Sequence, residues 1–157
     1  MADSKSFEWY TPGFIFEALG LRFDLDPCSP GPGKSFVPAD HHYSLPQDGL
    51  ALPWEGVVWC NPPYGPVSTG VWLRKLAAHG TGIGLVPATM ETRASQAAIA
   101  QADMICFIPR RIKFFKGSLT TPGGSPPTGS MLVAFGPKCA AAVRASGLGA
   151  CMTPDRP

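Results

Sequence analysis

The fold is indicated most strongly by one stretch, Gly56-Val57-Val58-Trp59-Cys60-Asn61-Pro62-Pro63-Tyr64. Residues 56–60 form a short, wholly apolar run, as expected for a strand that is buried on both faces of a parallel sheet. The two prolines that follow fix two φ angles and remove two backbone N–H donors, so the carbonyl oxygens of the turn remain available as acceptors. The stretch therefore predicts a buried strand that ends in a rigid, acceptor-rich turn.

The side chains of this turn suit a planar amine. Asn61 contributes a side-chain carbonyl, and Tyr64 contributes an aromatic face. Two acceptors bind the two N–H groups of such an amine, and the ring stacks on the base that carries it. The alternative is a strand that ends in a Pro-Pro turn with an incidental tyrosine. The strand-to-loop context favours the first interpretation, although any short motif also occurs by chance.

Hydrophobic periodicity predicts alternating helices and strands around this stretch. A helix is expected after Thr11-Pro12 and up to Gly20, and six prolines between positions 27 and 53 argue for loop there. Alternation favours an α/β fold with a mostly parallel sheet, whose ligands lie beyond the carboxyl ends of the strands. The other predicted strands are 21–26, 83–86, 104–108 and, as the last, 131–135; the other helices are about 67–78, 91–101 and 138–145.

Length and composition predict one domain with much loop. The 157 residues are 45% hydrophobic and include 18 glycines and 18 prolines, which fits a single core over residues 1–157 with flexible ends at about 1–6 and 150–157. The loop 117–129 is expected to be mobile. Apolar runs are too short to span a membrane, and five cysteines without a Cys-x-x-Cys pair fit reduced thiols. We therefore expect a soluble, cytoplasmic protein with no membrane partner.

The formal net charge of +2 hides an asymmetry. Residues 1–55 carry three basic and eight acidic groups, net −5, whereas residues 56–157 carry ten basic and three acidic groups, net +7. A short basic run is commonly a solvated edge, and the alternative is a surface that faces a polyanion. Four basic residues fall within seven positions: Arg110, Arg111, Lys113 and Lys116.

Asn61 to Tyr64 resembles the catalytic signature of S-adenosylmethionine-dependent amino-methyltransferases. More of the chain, over most of residues 8–135, resembles the phage-type DNA adenine-N6 methyltransferases of the Dam family. This resemblance implies a truncated Rossmann-like methyltransferase sheet with long Gly/Pro-rich loops, in the cytoplasm of a bacterial or phage-infected cell. The matching stretches are Glu8-Trp9-Tyr10-Thr11-Pro12, Phe23-Asp24-Leu25-Asp26-Pro27-Cys28, Asp48-Gly49-Leu50 with Trp54, Asn61 to Gly65 with Trp72 and Lys75, and Arg111-Ile112-Lys113-Phe114.

The resemblance implies roles for the turn. Asn61 and the carbonyl of Pro62 would accept hydrogen bonds from the adenine amino group, Pro63 would help to shape the turn, and Tyr64 would stack on the base. Because a paired adenine is blocked inside the duplex, the base would be flipped out. Catalysis would then be mainly positioning, and no metal ion is required.

The resemblance also implies a site for S-adenosylmethionine. Thr11 and Pro12 would lie near its methionine end, Asp26, Pro27 and Cys28 at the end of the first strand, and Asp48 near its ribose or adenine. The alternatives are that Thr11-Pro12 only starts a helix and that the two aspartates only form turns. The sequence departs from Asp-Pro-x-x-Gly-x-Gly, because Gly31 and Gly33 lie one position later. With 35 positions between Asp26 and Asn61, an abbreviated cofactor pocket is expected.

The basic run matches an Arg-Ile-x-Phe stretch of the family, which implies contacts with DNA phosphates or anchoring of a loop. Arg74 and Lys75 are possible extensions of this surface, and the loop 117–129 is expected to close over DNA or the active site. The four tryptophans are expected mainly in the core. The candidate nucleic-acid-binding residues are Arg93, Arg110, Arg111, Lys113 and Lys116.

Four alternatives remain open. The amine could instead belong to cytosine N4, RNA adenine or a protein glutamine, or the chain could be a DNA-binding module of the same fold without turnover. Other sites are disfavoured, because a phosphate loop ending in Gly33-Lys34-Ser35 would need glycine at Cys28, and adjacent His41 and His42 do not face one metal. A separate target-recognition domain needs more residues than are present, so recognition is expected to be relaxed or to use a homodimer or partner.

Overall fold

A computed structural model of the chain describes residues 9–31, 33–44, 47–63, 68–116 and 118–156, with the backbone alone at 116 and 122. The strands are β1 (Trp9–Tyr10), β2 (Phe23–Asp26), β3 (Ala39–His42), β4 (Val58–Cys60), β5 (Gly82–Pro87), β6 (Met104–Phe107), β7 (Phe114–Lys116), β8 (Pro122–Gly124), β9 (Ser130–Phe135) and β10 (Ala150–Met152). The helices are α1 (Gly13–Leu19), α2 (Ser68–His79), α3 (Arg93–Ile99) and α4 (Pro137–Ala145). The four predicted helices and five predicted strands are confirmed, with ends that differ by a few residues.

Seven strands form the main sheet, in the order β10-β6-β9-β5-β4-β2-β3. The strands β3, β2, β4 and β5 pair in parallel, while β9 is antiparallel to both β5 and β6, and β10 is antiparallel to β6. Five strands, β2 to β6, therefore run in one direction and two run in the other. The α/β prediction is confirmed, but the sheet is mixed, since β9 and β10 reverse direction.

The strands at the centre of the sheet are buried on both faces. Along β4, Trp59 packs into one core cluster while Val58 and Cys60 pack into the other, as the two-residue period of a strand requires. Helices α1 and α4 cover the first face and α2 and α3 cover the second, through Ile15, Phe16, Leu19, Cys139 and Val143 on one side and Trp72, Leu73, Leu76 and Ala98 on the other. This three-layer arrangement leaves the strand ends as the place for a site.

No strand is predicted at the positions of five of the observed strands: β1, β3, β7, β8 and β10. β3 lies inside the predicted loop 28–53, β8 inside the predicted loop 117–129, and β10 beyond the predicted last strand, in an end expected to be flexible. β3 and β10 are edge strands of the main sheet, and β8 is an edge strand of a second sheet. A short edge strand is held mainly by backbone pairing with one neighbour and does not need a regular apolar pattern, so periodicity does not reveal it.

The second sheet has three strands in the order β1-β7-β8. Trp9 lies opposite Lys116 and Tyr10 lies opposite Phe115 in the antiparallel pairing of β1 with β7. The rings of Trp9 and Phe114 meet edge to face at 5.9 Å. The first described residues are thereby joined to the strand that follows the basic run.

Helix α1 links β1 of this small sheet to β2 of the main sheet, and Pro12 and Gly20 mark its two ends. Pro12 precedes α1 and its carbonyl accepts from the N–H of Ile15 at 3.3 Å, while Gly20 ends the helix with a φ of 61°. A positive φ is readily adopted by glycine, which confirms the predicted end of this helix. Within the described ranges, none of the four helices is both long and apolar enough to cross a bilayer.

Candidate active site

The site lies where the order of the strands reverses. The chain passes from β2 to β3 on one side of β2 and returns to β4 on the other, so the adjacent parallel strands β2 and β4 flank a switch point. In open α/β sheets, ligands bind outside the carboxyl ends of the strands at such a point. Those ends are occupied by Asp26 in β2 and by Asn61, which directly follows β4.

The side-chain amide of Asn61, the only asparagine in the sequence, has a fixed orientation. Its Nδ2 donates to the carbonyl oxygen of Trp9 at 3.0 Å and to Oγ1 of Thr11 at 3.3 Å. Because a backbone carbonyl only accepts, the amide nitrogen lies on the Trp9 side and the oxygen is turned away. That oxygen, Oδ1, is buried and has no hydrogen-bond partner among the described residues. An unpaired buried acceptor costs about 1–3 kcal/mol, so the geometry suits a donor that arrives from outside.

The rest of the turn adds a second acceptor. Pro62 is buried and Pro63 is half-buried. Among the described residues, none donates a hydrogen bond to the carbonyl oxygen of Pro62. Three of the four predicted catalytic residues are thus placed together at the end of β4, while Tyr64 lies outside the described residues.

Thr11 and Pro12 reach the same turn from the small sheet. Pro12 starts α1, as the alternative interpretation of this pair expects. Thr11 is 4% exposed, and within the described ranges no side chain caps the helix that begins after Pro12. Its hydroxyl oxygen instead accepts from Asn61. The two neighbouring residues therefore differ in role, since one begins a helix and the other contacts the predicted catalytic amide.

The carboxyl group of Asp26 is buried at the end of β2, with 2% of the residue exposed. Burial raises its pKa from 3.8 to about 7, because the hydrogen bonds that it accepts from the backbone of Cys28 and the side chain of Ser29 only partly oppose desolvation. The bond from the Cys28 N–H to Oδ1 measures 3.2 Å. A positive charge placed beside this carboxyl group would favour its ionised form.

Two polar residues beside Asp26 are absent from the predicted site. Nδ1 of His42 lies 2.9 Å from Oγ of Ser29 and 3.9 Å from Oδ2 of Asp26. The same Oγ of Ser29 accepts a hydrogen bond from the N–H of Gly31 at 3.0 Å. Desolvation lowers the pKa of His42, and together with the raised pKa of Asp26 this favours the neutral forms, so the 3.9 Å contact is not a strong ion pair. Sequence reasoning missed His42 because it missed β3, which aligns His42 with Asp26.

The loop that contains Asp48 packs against the end of β2. A side chain at Gly49 would place its Cβ 2.0 Å from the carbonyl oxygen of Pro27, so only glycine allows this approach. Asp48 is exposed, and its Oδ1 accepts from the N–H of Leu50 at 3.0 Å, as expected for a turn former.

Desolvation, assisted by Asp26, raises the pKa of the Cys28 thiol to about 12, which makes the thiol a poor nucleophile. The structure thus gathers the predicted cofactor residues 26–28 and 48 at one strand end.

Lys75 anchors this loop from α2. Its Nζ donates to the carbonyl oxygens of Gly49, Leu50 and Leu52 at 3.2, 2.6 and 2.5 Å, and lies 4.9 Å from the ring centroid of Trp54. Burial lowers its pKa, and Asp48 partly offsets that effect. The expected extension of the phosphate-binding surface to Lys75 is therefore wrong, because the ammonium group is engaged by backbone carbonyls.

The tryptophans follow the expectation of burial. Trp54 stacks on Trp72 at 6.1 Å, and both residues are 8% exposed, while Trp59 is 1% exposed in the opposite core cluster. Trp9 is partly buried and packs against that same cluster. These rings belong to the packing of the domain and are not exposed platforms.

The basic run follows β6 at the same edge of the sheet. Arg110, Arg111 and Lys113 are exposed, and none of them forms an ion pair with another described residue. Arg110 has a φ of 63°, a left-handed conformation that is uncommon for a residue other than glycine. The run leads directly into β7, which pairs with β1. Arg93 is exposed at the first position of α3, and the side chain of Lys116 lies outside the described part of the chain.

A cavity of about 300 Å³ opens beyond the carboxyl end of β5, the neighbour of β4 on the side away from Asp26. Thr69 at the start of α2, Ser95 in α3 and residues 126–128 contribute to its walls. The segment 126–128 belongs to the loop that was predicted to close over the site. Over the described ranges, no three His, Cys, Asp or Glu side chains gather to form a metal site.

Comparison with known families gives a match over most of the chain. The family described as DNA N-6-adenine-methyltransferase (Dam) matches residues 1–145, a range that contains the turn at Asn61, the residues around Asp26 and the basic run. Searches of curated proteins and of solved structures find no match. Because the match covers most of the 157 residues, the chain belongs to the Dam family of DNA N-6-adenine-methyltransferases.

Proposed function

We propose that this chain transfers a methyl group from S-adenosylmethionine to the N6 amino group of adenine in DNA, with the turn from Asn61 to Tyr64 as its active site. The observation that carries the proposal is the buried Oδ1 of Asn61 at the carboxyl end of β4, to which no residue that the structure describes donates a hydrogen bond. The family match supports the reaction class. The position of the turn at a switch point supports a truncated Rossmann-like methyltransferase fold.

The turn has the acceptors that an exocyclic amine requires. One N–H of the adenine amino group would donate to Oδ1 of Asn61, and the other to the carbonyl oxygen of Pro62. Both acceptors draw electron density toward the nitrogen, which makes it a better nucleophile. Because Asn61 is held by two hydrogen bonds before the substrate arrives, little reorganisation accompanies the reaction. Stacking of Tyr64 on the base completes the proposed site.

The residues at the end of β2 fit the proposed cofactor. S-adenosylmethionine would supply a methyl group from a positively charged sulfur. The sulfur would keep the electron pair of the broken carbon–sulfur bond, and the methylated nitrogen would release one proton to solvent. Asp26 presents a buried carboxyl group whose pKa of about 7 leaves it ready to ionise beside a cation. Pro27, Cys28 and Asp48 lie on the same strand end, and Thr11 and Pro12 approach from the small sheet.

The exposed cations give the proposed DNA surface. Arg110, Arg111 and Lys113 lie beyond β6 with no carboxylate partner among the described residues, and Arg93 lies on α3 after β5. Phosphates would neutralise these side chains, so affinity should fall with salt. The target adenine would leave the duplex to reach Asn61. The loop that contains residues 126–128 would close beside it.

The direct test offers labelled S-adenosylmethionine to unmethylated DNA, RNA and protein in parallel, followed by digestion of the DNA. We expect label in DNA, recovered as N6-methyladenine, and about a 10²–10³-fold lower rate for Asn61→Ala. Label in RNA or protein alone, or in N4-methylcytosine, would overturn the proposed substrate. Calorimetry that detects DNA binding but no affinity for S-adenosylmethionine would instead indicate a DNA-binding module without turnover.

A further inference from the structure

We propose that Thr11 is a positioning residue for the reaction, whose hydroxyl group holds the Asn61 amide so that Oδ1 faces the incoming amine. This inference rests on the proposed function of the Asn61 turn. It gives Thr11 a role different from the cofactor contact that the family resemblance implies.

Two hydrogen bonds hold the amide group of Asn61. An asparagine NH₂ group has two donors, and at Asn61 one reaches the backbone carbonyl of Trp9 while the other reaches Oγ1 of Thr11. With both donors engaged, the plane of the amide is fixed. With the Trp9 bond alone, the amide could pivot about that single contact and carry Oδ1 away from the position of the substrate nitrogen.

The hydroxyl group of Thr11 is buried just before a helix that it does not cap. Thr11 is 4% exposed and precedes a helix, where a threonine commonly caps the first turn. Here α1 begins after Pro12 without a side-chain cap. The hydroxyl oxygen of Thr11 is therefore available for Asn61, which lies 50 residues further along the chain.

The backbone before Thr11 is held in place by strand pairing. The preceding two residues form β1, which pairs with β7 in register Trp9 to Lys116 and Tyr10 to Phe115. The ring of Trp9 also packs edge to face on Phe114. Both groups that hold the amide, the Trp9 carbonyl and the Thr11 hydroxyl, are thus on a segment fixed by the strand that continues the basic run.

The two possible roles of Thr11 differ in kinetics. A residue that positions Asn61 acts on the transition state, so its loss lowers kcat and leaves the KM for S-adenosylmethionine nearly unchanged. A residue that contacts the cofactor contributes to binding, so its loss raises that KM. Thr11→Val removes the hydroxyl with little change in shape, and Thr11→Ser retains it.

We expect Thr11→Val to lower kcat about five- to tenfold, the effect of one ordinary hydrogen bond, with KM for S-adenosylmethionine within about twofold of wild type. Thr11→Ser should restore kcat. The matched control is Thr81→Val. It changes a partly buried threonine just before β5, at the amino ends of the parallel strands and therefore away from Asn61. An unchanged kcat in Thr11→Val, or a raised KM with normal kcat, would overturn the inference.

A second readout is independent of turnover. Since Asn61 is the only asparagine, protein labelled with ¹⁵N in the asparagine side chain gives a single NH₂ signal pair in NMR spectra. We expect one of the two protons to exchange faster with solvent in Thr11→Val and to recover in Thr11→Ser. Identical exchange in wild type and Thr11→Val would contradict the contact. If wild type itself transfers no methyl group while this contact is present, the proposed function fails and not the positioning of the amide.

Discussion

Replacement of Asp26 by asparagine should change how stability depends on pH. The folded state holds the pKa of this carboxyl group at about 7, against 3.8 for the exposed group. Between these values the folded protein binds a proton that the unfolded chain has released, so stability falls as pH rises. Each pKa unit corresponds to about 1.4 kcal/mol, so Asp26 should lower the free energy of unfolding by about 3 kcal/mol between pH 5 and pH 8.

The neighbouring His42 acts in the opposite direction. Burial lowers its pKa in the folded state, so the unfolded chain binds the proton more tightly and stability rises as pH increases through the ordinary histidine range. This contribution is present in wild type and in Asp26→Asn alike. The difference in stability between the two proteins therefore isolates the titration of Asp26.

Urea denaturation at pH 5 and pH 8, followed by tryptophan fluorescence, measures this difference. The stability of Asp26→Asn minus that of wild type should become more favourable by about 3 kcal/mol at the higher pH. Asparagine can still accept the hydrogen bond from the Cys28 N–H, so the fold should be retained. Glu17→Gln, which changes an exposed residue of α1, serves as the control. A difference that stays constant, or moves the other way with pH, would refute the assignment of a buried carboxyl group with a raised pKa.

Three further changes test the remaining parts of the site. Asn61→Ala should keep its unfolding free energy within about 1 kcal/mol of wild type, because the loss of two hydrogen bonds is offset by removal of a buried oxygen that has no partner in the described part of the chain. Urea denaturation that shows a loss above about 3 kcal/mol would contradict this. Lys75→Met should destabilise the protein by about 2–3 kcal/mol, because it removes the three hydrogen bonds from the ammonium group to backbone carbonyls. The salt dependence of DNA binding should not change in this variant. A weaker salt dependence would indicate that Lys75 contacts a phosphate after all. Arg111→Ala and Lys113→Ala should each reduce the slope of log affinity against log salt by about 1, with Lys138→Ala on α4 as control, and unchanged slopes would rule out phosphate contacts.

Sequence periodicity predicted the elements whose side chains are buried. Strand β4 and helix α1 show regular apolar patterns because each must cover a core face. The edge strands β3 and β10 carry no such requirement, so their pairing with β2 and β6 emerges only when the sheet is assembled. Missing β3 also meant missing His42, whose place beside Asp26 is a consequence of that pairing.

The residues of the site were predicted with mixed precision. Asn61 and Asp26 were placed at strand ends because parallel strands bring such residues to one edge. Lys75 was misassigned, since a sequence shows the charge of a side chain but not the three carbonyl groups that surround it. The contact of Thr11 with Asn61 joins residues 50 positions apart and has no local signal. Homodimer formation stays a prediction.

Oδ1 of Asn61, for which the described ranges contain no hydrogen-bond donor, also bears on events after methyl transfer. An unmethylated adenine offers two N–H donors to the turn, N6-methyladenine offers one, and hypoxanthine offers none from its exocyclic oxygen. A site that leaves a buried acceptor unpaired discriminates strongly, by up to about 10⁴–10⁵-fold, against an analogue that lacks the donor. On the proposed function, the product therefore satisfies the turn less well than the substrate does. Product release and arrest after a single methylation would then follow from the same oxygen that captures the amine.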